Sequence, residues 1–262
     1  MKQFSLTKAF FASAIFTACS LGIGACAVKQ AKKDNPDFDK NIALSFDSQL
    51  DKEISLGDKK NWKYATNSWQ FPADHKIEIS IVSEKIEVKT GTSNEIKIEA
   101  KGQIKEDKTS LLKLESADKN VALSQRSDEE VHRVSVTVWI PQNASTSLNL
   151  KTVSGEVELK NVGVQDLTIA TVSGDIHAEK LSVDALNVKS VSGDIEVKNS
   201  TVKSLDAFSV SGDIKMRLTN ADQFKYELQS LSGDIDQSVK DSHNASATLV
   251  RVKTTSGDIE VR

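Results

Sequence analysis

The sequence predicts an all-β protein, a single-stranded parallel β-helix (β-solenoid), and three observations carry that prediction. A Ser-Gly-Asp motif, once Ser-Gly-Glu, recurs six times, with 19, 19, 19, 21 and 24 residues between successive glycines. A period near 20 accommodates two short strands and two turns, the content of one coil. From Lys76 onward apolar residues alternate with polar ones, and no long segment carries a 3.6-residue apolar stripe. Only 3 prolines and 12 glycines are present, and half of those glycines sit in the motif, which suits long regular strands. Coils of about 19–24 residues, wound right-handed, are the expectation.

The bulk composition fits a soluble body. Of the 262 residues 27% are charged and 38% hydrophobic, and the formal net charge is −3. No basic footprint points to nucleic acid, so none is expected as a partner.

Residues 1–25 read as a lipoprotein signal peptide. Two lysines precede the apolar, small-residue run "AFFASAIFTACSLGIGA", which is a poor transmembrane helix. Ile23-Gly24-Ala25-Cys26 resembles a bacterial lipobox, which makes Cys26 the lipidation site and the new N-terminus. Ordinary secretory cleavage after Ala27 and an uncleaved anchor are the competing readings. The chain's two cysteines, Cys19 and Cys26, lie within this segment or directly after it, so the mature body has no intramolecular disulfide. Ala27 after the cysteine resembles a signal for outer-membrane sorting. The expected location is the cell envelope of a bacterium with two membranes, on the periplasmic or surface face.

Residues 26–68 read as a partly disordered, lipid-anchored tether, charged and without a sustained apolar period. Trp62, Tyr64, Trp69 and Phe71 cluster near its end. They read as a cap on the open end of the core, with an aromatic ligand platform as the alternative. The β-solenoid domain is expected over 69–262, its coils irregular over 69–147 and regular over 148–262. In the irregular part "IEISIVSEKIEV" is a worn copy of the repeat, with Glu84 in the glycine's place, and it reads as an end coil.

In the regular part the columns give directions. Leu148, Leu167, Leu186, Leu205, Tyr226 and Val250 stand seven residues before each glycine; Val157, Ile176, Ile195, Ile214, Ile235 and Ile259 stand two after it. These columns have opposite parity, so the alternation slips by one residue between the Thr/Ser column at minus three and the Val column at minus two. Such a slip marks a corner. Gly155, Gly174, Gly193, Gly212, Gly233 and Gly257 point inward beside it, where a side chain would collide with the coil. Serine before and aspartate after each glycine point outward. Asp175, Asp194, Asp213, Asp234 and Asp258 therefore form an outward ladder, a candidate binding surface, with Glu156 in line.

Carboxylates stacked about 5 Å apart repel unless they are bonded or neutralised. Backbone N–H groups at the corner are the preferred partners, with Lys151, Lys160, Lys189, Lys198, Arg217 and Lys253 as neutralising charges. Calcium is the rival reading, but one acid per coil and no glycine-rich loop suit it poorly. A flat hydroxyl face of the ice-binding type is spoiled by the flanking acids. No cofactor and no metal are expected. The four histidines share no ligand spacing, no serine sits in a nucleophile elbow, and Arg217 has only Asp213 beside it. No catalytic residues are assigned, and the chain reads as a non-enzyme.

"VTVWIPQNASTSLNLKTVSGEVELKNV", followed by repeated [TS]VSGDI coils, resembles the bacterial "putative adhesin" family of unknown function, over roughly residues 71–262. The resemblance implies a parallel β-solenoid on the cell envelope with no catalytic residues to carry over. The expected function is a lipid-anchored binding, adhesion or scaffolding module for an unknown protein or glycan partner. The alternatives are an envelope-stress sensory or regulatory protein and, more remotely, a glycan-active enzyme.

Overall fold

The computed structural model describes residues 62–262 apart from positions 83, 128, 143, 245 and 246. Cys26, the signal peptide and most of the expected tether lie outside the described residues. In chain order the strands are β1 (Trp62–Pro72), β2 (Lys76–Ile81), β3 (Lys85–Gly91), β4 (Glu95–Lys105), β5 (Leu112–Ala117) and β6 (Asn120–Gln125). Next come β7 (Val131–Pro141), β8 (Ser147–Thr152), β9 (Glu156–Lys160), β10 (Gly163–Thr171), β11 (Ile176–Glu179) and β12 (Ser182–Ser192). The last six are β13 (Ile195–Ser211), β14 (Ile214–Leu218), β15 (Phe224–Ser232), β16 (Ile235–Gln237), β17 (Thr248–Ser256) and β18 (Ile259–Val261), with one 3-10 turn at Ala221–Gln223. Among the described residues the protein is all-β, and the first strand described begins at Trp62, ahead of the boundary at 69 expected from the sequence.

Each repeat contributes one rung, a strand on either side of the Ser-Gly-Asp corner. Strands before the corner pair in parallel with their counterparts one repeat away, as in Leu148↔Leu167↔Leu186↔Leu205. Strands after it do the same, as in Val157↔Ile176↔Ile195↔Ile214. The 17-residue β13 serves both ladders, its first half following one corner and its second half leading to the next. Period-2 alternation puts the two column sets into a single buried cluster, with Leu150, Val157, Ile169, Ile176 and Ile195 fully buried. Rung-on-rung contact of like apolar side chains is the main source of stability in such a stack.

The stack does not follow the order of the chain at either end. The latest rung in the sequence, β17/β18, lies between β13/β14 and β15/β16: Leu205 and Tyr226 both pair with Val250, and Ile214 and Ile235 both pair with Ile259. Arg251 marks the same placement from outside, with its guanidinium 3.1 Å from Asp206 and 3.7 Å from Glu227. The longer gaps of 21 and 24 residues supply the chain for this crossing. Rung β15/β16 also suits an end position, because its column residue four after the glycine is Gln237, where the other rungs carry Leu159, Ala178, Val197, Met216 and Val261.

At the opposite end β2/β3 lies between β6/β7 and β8/β9. The rung holding Glu84 is therefore an inner one, not the end coil its worn motif suggests. Glu84 has φ 74°, a left-handed backbone that costs a non-glycine residue stability. Beyond β6/β7 the strands turn antiparallel, with β5 on β6, β4 on β7 and β1 on β4. Trp69 and Phe71 of β1 pack against the core edge, which matches their expected capping role, while Tyr64 is 80% exposed. The side chain of Asn67 ties this end together, accepting from Leu111 N–H at 2.8 Å and donating to the Thr109 carbonyl at 3.1 Å.

Candidate functional site: the Ser-Gly-Asp corner

The corner begins with the parity slip. Thr171 and Val172, and likewise Ser209 and Val210, are consecutive buried residues, so two neighbouring side chains turn inward where the strand bends. The hydroxyl column at minus three is accordingly internal: Thr152, Thr171, Ser190, Ser209 and Thr254 are all buried. In the whole column the hydroxyls of Thr152, Ser230 and Thr254 bond the backbone of a motif glycine, whereas those of Thr171, Ser190 and Ser209 are buried without a hydrogen-bond partner among the described residues. Thr152 Oγ1 accepts Gly155 N–H at 3.0 Å, and Ser230 Oγ donates to the Gly257 carbonyl at 2.9 Å. The hydroxyl row thus lies inside the coil and forms no outward face of the ice-binding type.

The motif glycines are required, although the obstacle lies along the stack rather than in the core. A β-carbon on Gly174 would stand 2.1 Å from the Gly155 carbonyl oxygen, and one on Gly193 would stand 2.5 Å from that of Gly174. The series continues through Gly212, Gly257 and Gly233 in spatial order. Gly193 also has φ 154°, which side-chain-bearing residues rarely adopt.

The aspartates then clamp rung to rung. Asp175 Oδ1 accepts Asp194 N–H, Asp194 Oδ1 accepts Asp213 N–H, and Asp213 Oδ1 accepts Asp258 N–H, each at 2.9 Å. Asp258 Oδ1 accepts Asp234 N–H at 2.8 Å. One oxygen of each of these four carboxylates therefore serves the next rung's backbone, and the ladder runs 175, 194, 213, 258, 234. Backbone bonding is thus the resolution of the stacked charge, reached across rungs rather than within one turn.

Five of the six basic residues named from the sequence as neutralisers pair with other acids. Lys151 pairs with Glu78 at 2.7 Å, Lys198 with Glu196 at 2.6 Å, Lys253 with Glu227 at 2.7 Å and Arg217 with Glu260 at 3.8 Å. Lys160 and Lys85 both bond Glu158, and hold its carboxyl down at about 2. Lys160 and Lys198 pair with acids two residues back on their own strands, whereas Lys151, Lys253 and Arg217 reach acids on the neighbouring rung. Lys215 approaches the ladder carboxylate Asp213 at 4.0 Å, and Lys85 approaches the in-line Glu156 at 3.5 Å. His177 lies between Glu156 at 4.0 Å and Glu196 at 3.5 Å on the outer surface, as its column position suggested.

Chemically, the corner is a row of hydrogen-bond acceptors and hydroxyls on a rigid backbone. Among the described residues no three His, Cys, Asp or Glu side chains gather to hold a metal ion. Arg217 turns to Glu260 rather than to Asp213, so the one basic-among-acids pair considered from the sequence does not form.

Several solved structures are similar to this chain. A "putative cell adhesion protein" from Clostridium sporogenes is 13% identical, covering 76% of this chain and 99% of its own, with a TM-score of 0.48. A "putative adhesin" from Bacteroides fragilis is 15% identical over 76% of this chain and 97% of its own, with a TM-score of 0.47. A "putative lipid binding protein" from Parabacteroides distasonis is 14% identical over 75% and 98%, with a TM-score of 0.31. No curated protein matches. The model of the Toastrack DUF4097 family matches residues 40–262, and the chain belongs to that family.

Proposed function

We propose that the chain is a lipid-anchored cell-envelope protein whose rungs form a parallel β-solenoid that binds or scaffolds a protein or glycan partner without catalysis. The observation that carries this reading is the use of the repeated aspartate. A carboxylate oxygen that accepts the next rung's amide at 2.8–2.9 Å belongs to the scaffold. Parallel pairing at a 19-residue offset on both sides of the corner supports the solenoid. What the stack then offers is stiffness and extent, the properties of a binding platform. The lipid anchor rests on Ile23-Gly24-Ala25-Cys26, and with it the envelope location, in the outer membrane of a two-membrane bacterium.

Two measurements test the proposal. Fractionation of cells carrying Cys26→Ser should move the protein out of the membrane fraction; retention there overturns the anchor. Incubating the full-length protein with envelope polysaccharides should release no new reducing ends or unsaturated sugars, and turnover of either kind would sink the non-catalytic reading.

A further inference from the structure

The stack ends abruptly at β15/β16. Among the described residues these strands pair with β17 and β18 on one side and with no strand on the other. Two large apolar side chains lie bare there, Leu231 at 67% and Ile235 at 45% exposure. Part of the edge is closed: Ser242 N–H donates to the Phe224 carbonyl at 2.7 Å, and Asp241 Oδ1 accepts Tyr226 N–H at 3.3 Å. The open stretch is therefore the corner half, from about residue 228 to 237.

That stretch repeats the face by which each inner rung receives its neighbour. In the Gly193 rung, Gly193 N–H donates to the Ser211 carbonyl at 3.2 Å, Ile195 N–H donates to the Asp213 carbonyl at 2.9 Å, and Asp194 Oδ1 accepts Asp213 N–H. At the last rung the corresponding groups are Gly233 N–H, Ile235 N–H and Asp234 Oδ1. Among the described residues no further rung meets them.

We infer that this end rung is a docking site for an extended polypeptide strand of a partner protein, entering in parallel as the next rung. Continuity with the existing ladder defines the chemistry of that strand. A β-carbon on Gly233 would stand 2.1 Å from the Gly257 carbonyl, so the residue stacked on Gly233 must likewise be glycine. The residue after that glycine gives its N–H to Asp234 Oδ1. Apolar residues two before and two after it cover Leu231 and Ile235. The occupant is a Gly-Asp type corner flanked by alternating apolar residues, bound by strand addition. A second copy fits less well. Meeting tail to tail, it would run antiparallel, set Asp234 and Asp236 close to their own images and deny Asp234 its amide. Meeting head to tail, it would offer the β6/β7 end, which carries no glycine corner and is flanked by the antiparallel β4 and β5.

This deepens the binding reading, on which it rests for the existence of a polypeptide partner. The probe is a fluorescent peptide with the sequence of residues 186–198, LNVKSVSGDIEVK, titrated into the detergent-solubilised full-length protein and followed by anisotropy. Saturable binding is expected, weakened at least tenfold by valine in place of the peptide's glycine. It should weaken equally in a Leu231→Lys, Ile235→Lys protein whose melting temperature is unchanged. Absent binding, or binding indifferent to either change, overturns the site. So does a concentration-dependent dimer that the double variant dissociates and the peptide does not, since the occupant is then a second copy. If the peptide fails while the full-length protein still crosslinks to an envelope partner, the end-rung site falls and the broader binding reading stands.

Discussion

Asp194 Oδ1 accepts the backbone N–H of Asp213, nineteen residues later in the chain and one rung further along the stack, at 2.9 Å. The carboxylate acts here as an acceptor, which an amide can replace. Asp194→Asn should cost less than half as much as Asp194→Ala in urea denaturation. The alanine variant should lose about 1 kcal/mol, because water can reach the freed amide at this exposed corner. Equal losses for the two variants would mean that charge, not acceptance, matters.

Gly193 and Gly163 make a matched pair. A β-carbon on Gly193 meets the Gly174 carbonyl at 2.5 Å with φ 154°, whereas one on Gly163 finds its nearest neighbour, the Gln142 carbonyl, at 3.5 Å. Gly193→Ala should destabilise by roughly 2–4 kcal/mol through clash and backbone strain. Gly163→Ala should stay within about 0.5 kcal/mol of wild type. Chemical denaturation of both variants side by side checks the contrast.

Acid should weaken the stack through Glu158. Bonds from Lys160 and Lys85 hold its carboxyl at about 2, against an ordinary value of 4.5. A carboxylate depressed in the folded state contributes stability that is complete above the unfolded value and is lost as pH falls through the folded one. Stability should therefore decline between about pH 4.5 and 2. Glu99, Glu130, Glu196 and Glu227, shifted the same way by their lysine partners, act in the same direction. Glu158→Gln should flatten the decline measured by melting temperature against pH, and an unchanged slope would count against the lysine clasp.

Hydrogen exchange should reveal the crossed order. Amides of Val250 and Val252 in β17, flanked on both sides, should exchange as slowly as those of β12, while β16 and the corner half of β15 exchange fastest. Fast exchange in β17 would contradict its internal position.

Much of this was legible because a stack repeats its environment. Val172 and Val210 show the parity slip, and the glycine column shows where no β-carbon fits. Asp194 was readable as an acceptor because like charges at strand spacing need a partner. The order of rungs was not, since Val250 suits a place beside Leu205 or beyond Tyr226 equally well by column. Only Gln237, polar where its counterparts are apolar, hinted that its rung lies outermost. Glu84 misled for a related reason: glycine is demanded by the backbone of the adjoining rung, and beyond Glu84 lies the wider β6–β7 connection. The partners of Lys151 and Lys253, Glu78 and Glu227, lie on the neighbouring rung and are not named by local sequence.

The inserted rung has a bearing on biogenesis. Residues 248–261 leave the ribosome after 224–237, yet they lodge between that segment and 201–218. A simple zipper running with translation would pair 224–237 directly onto 201–218 and would have to reopen to admit the latecomer. Completing the native stack is therefore a late, long-range event, and long-range closure is slow. A chain exported before it folds would escape that trap, because all its rungs would be present when the first of them pair.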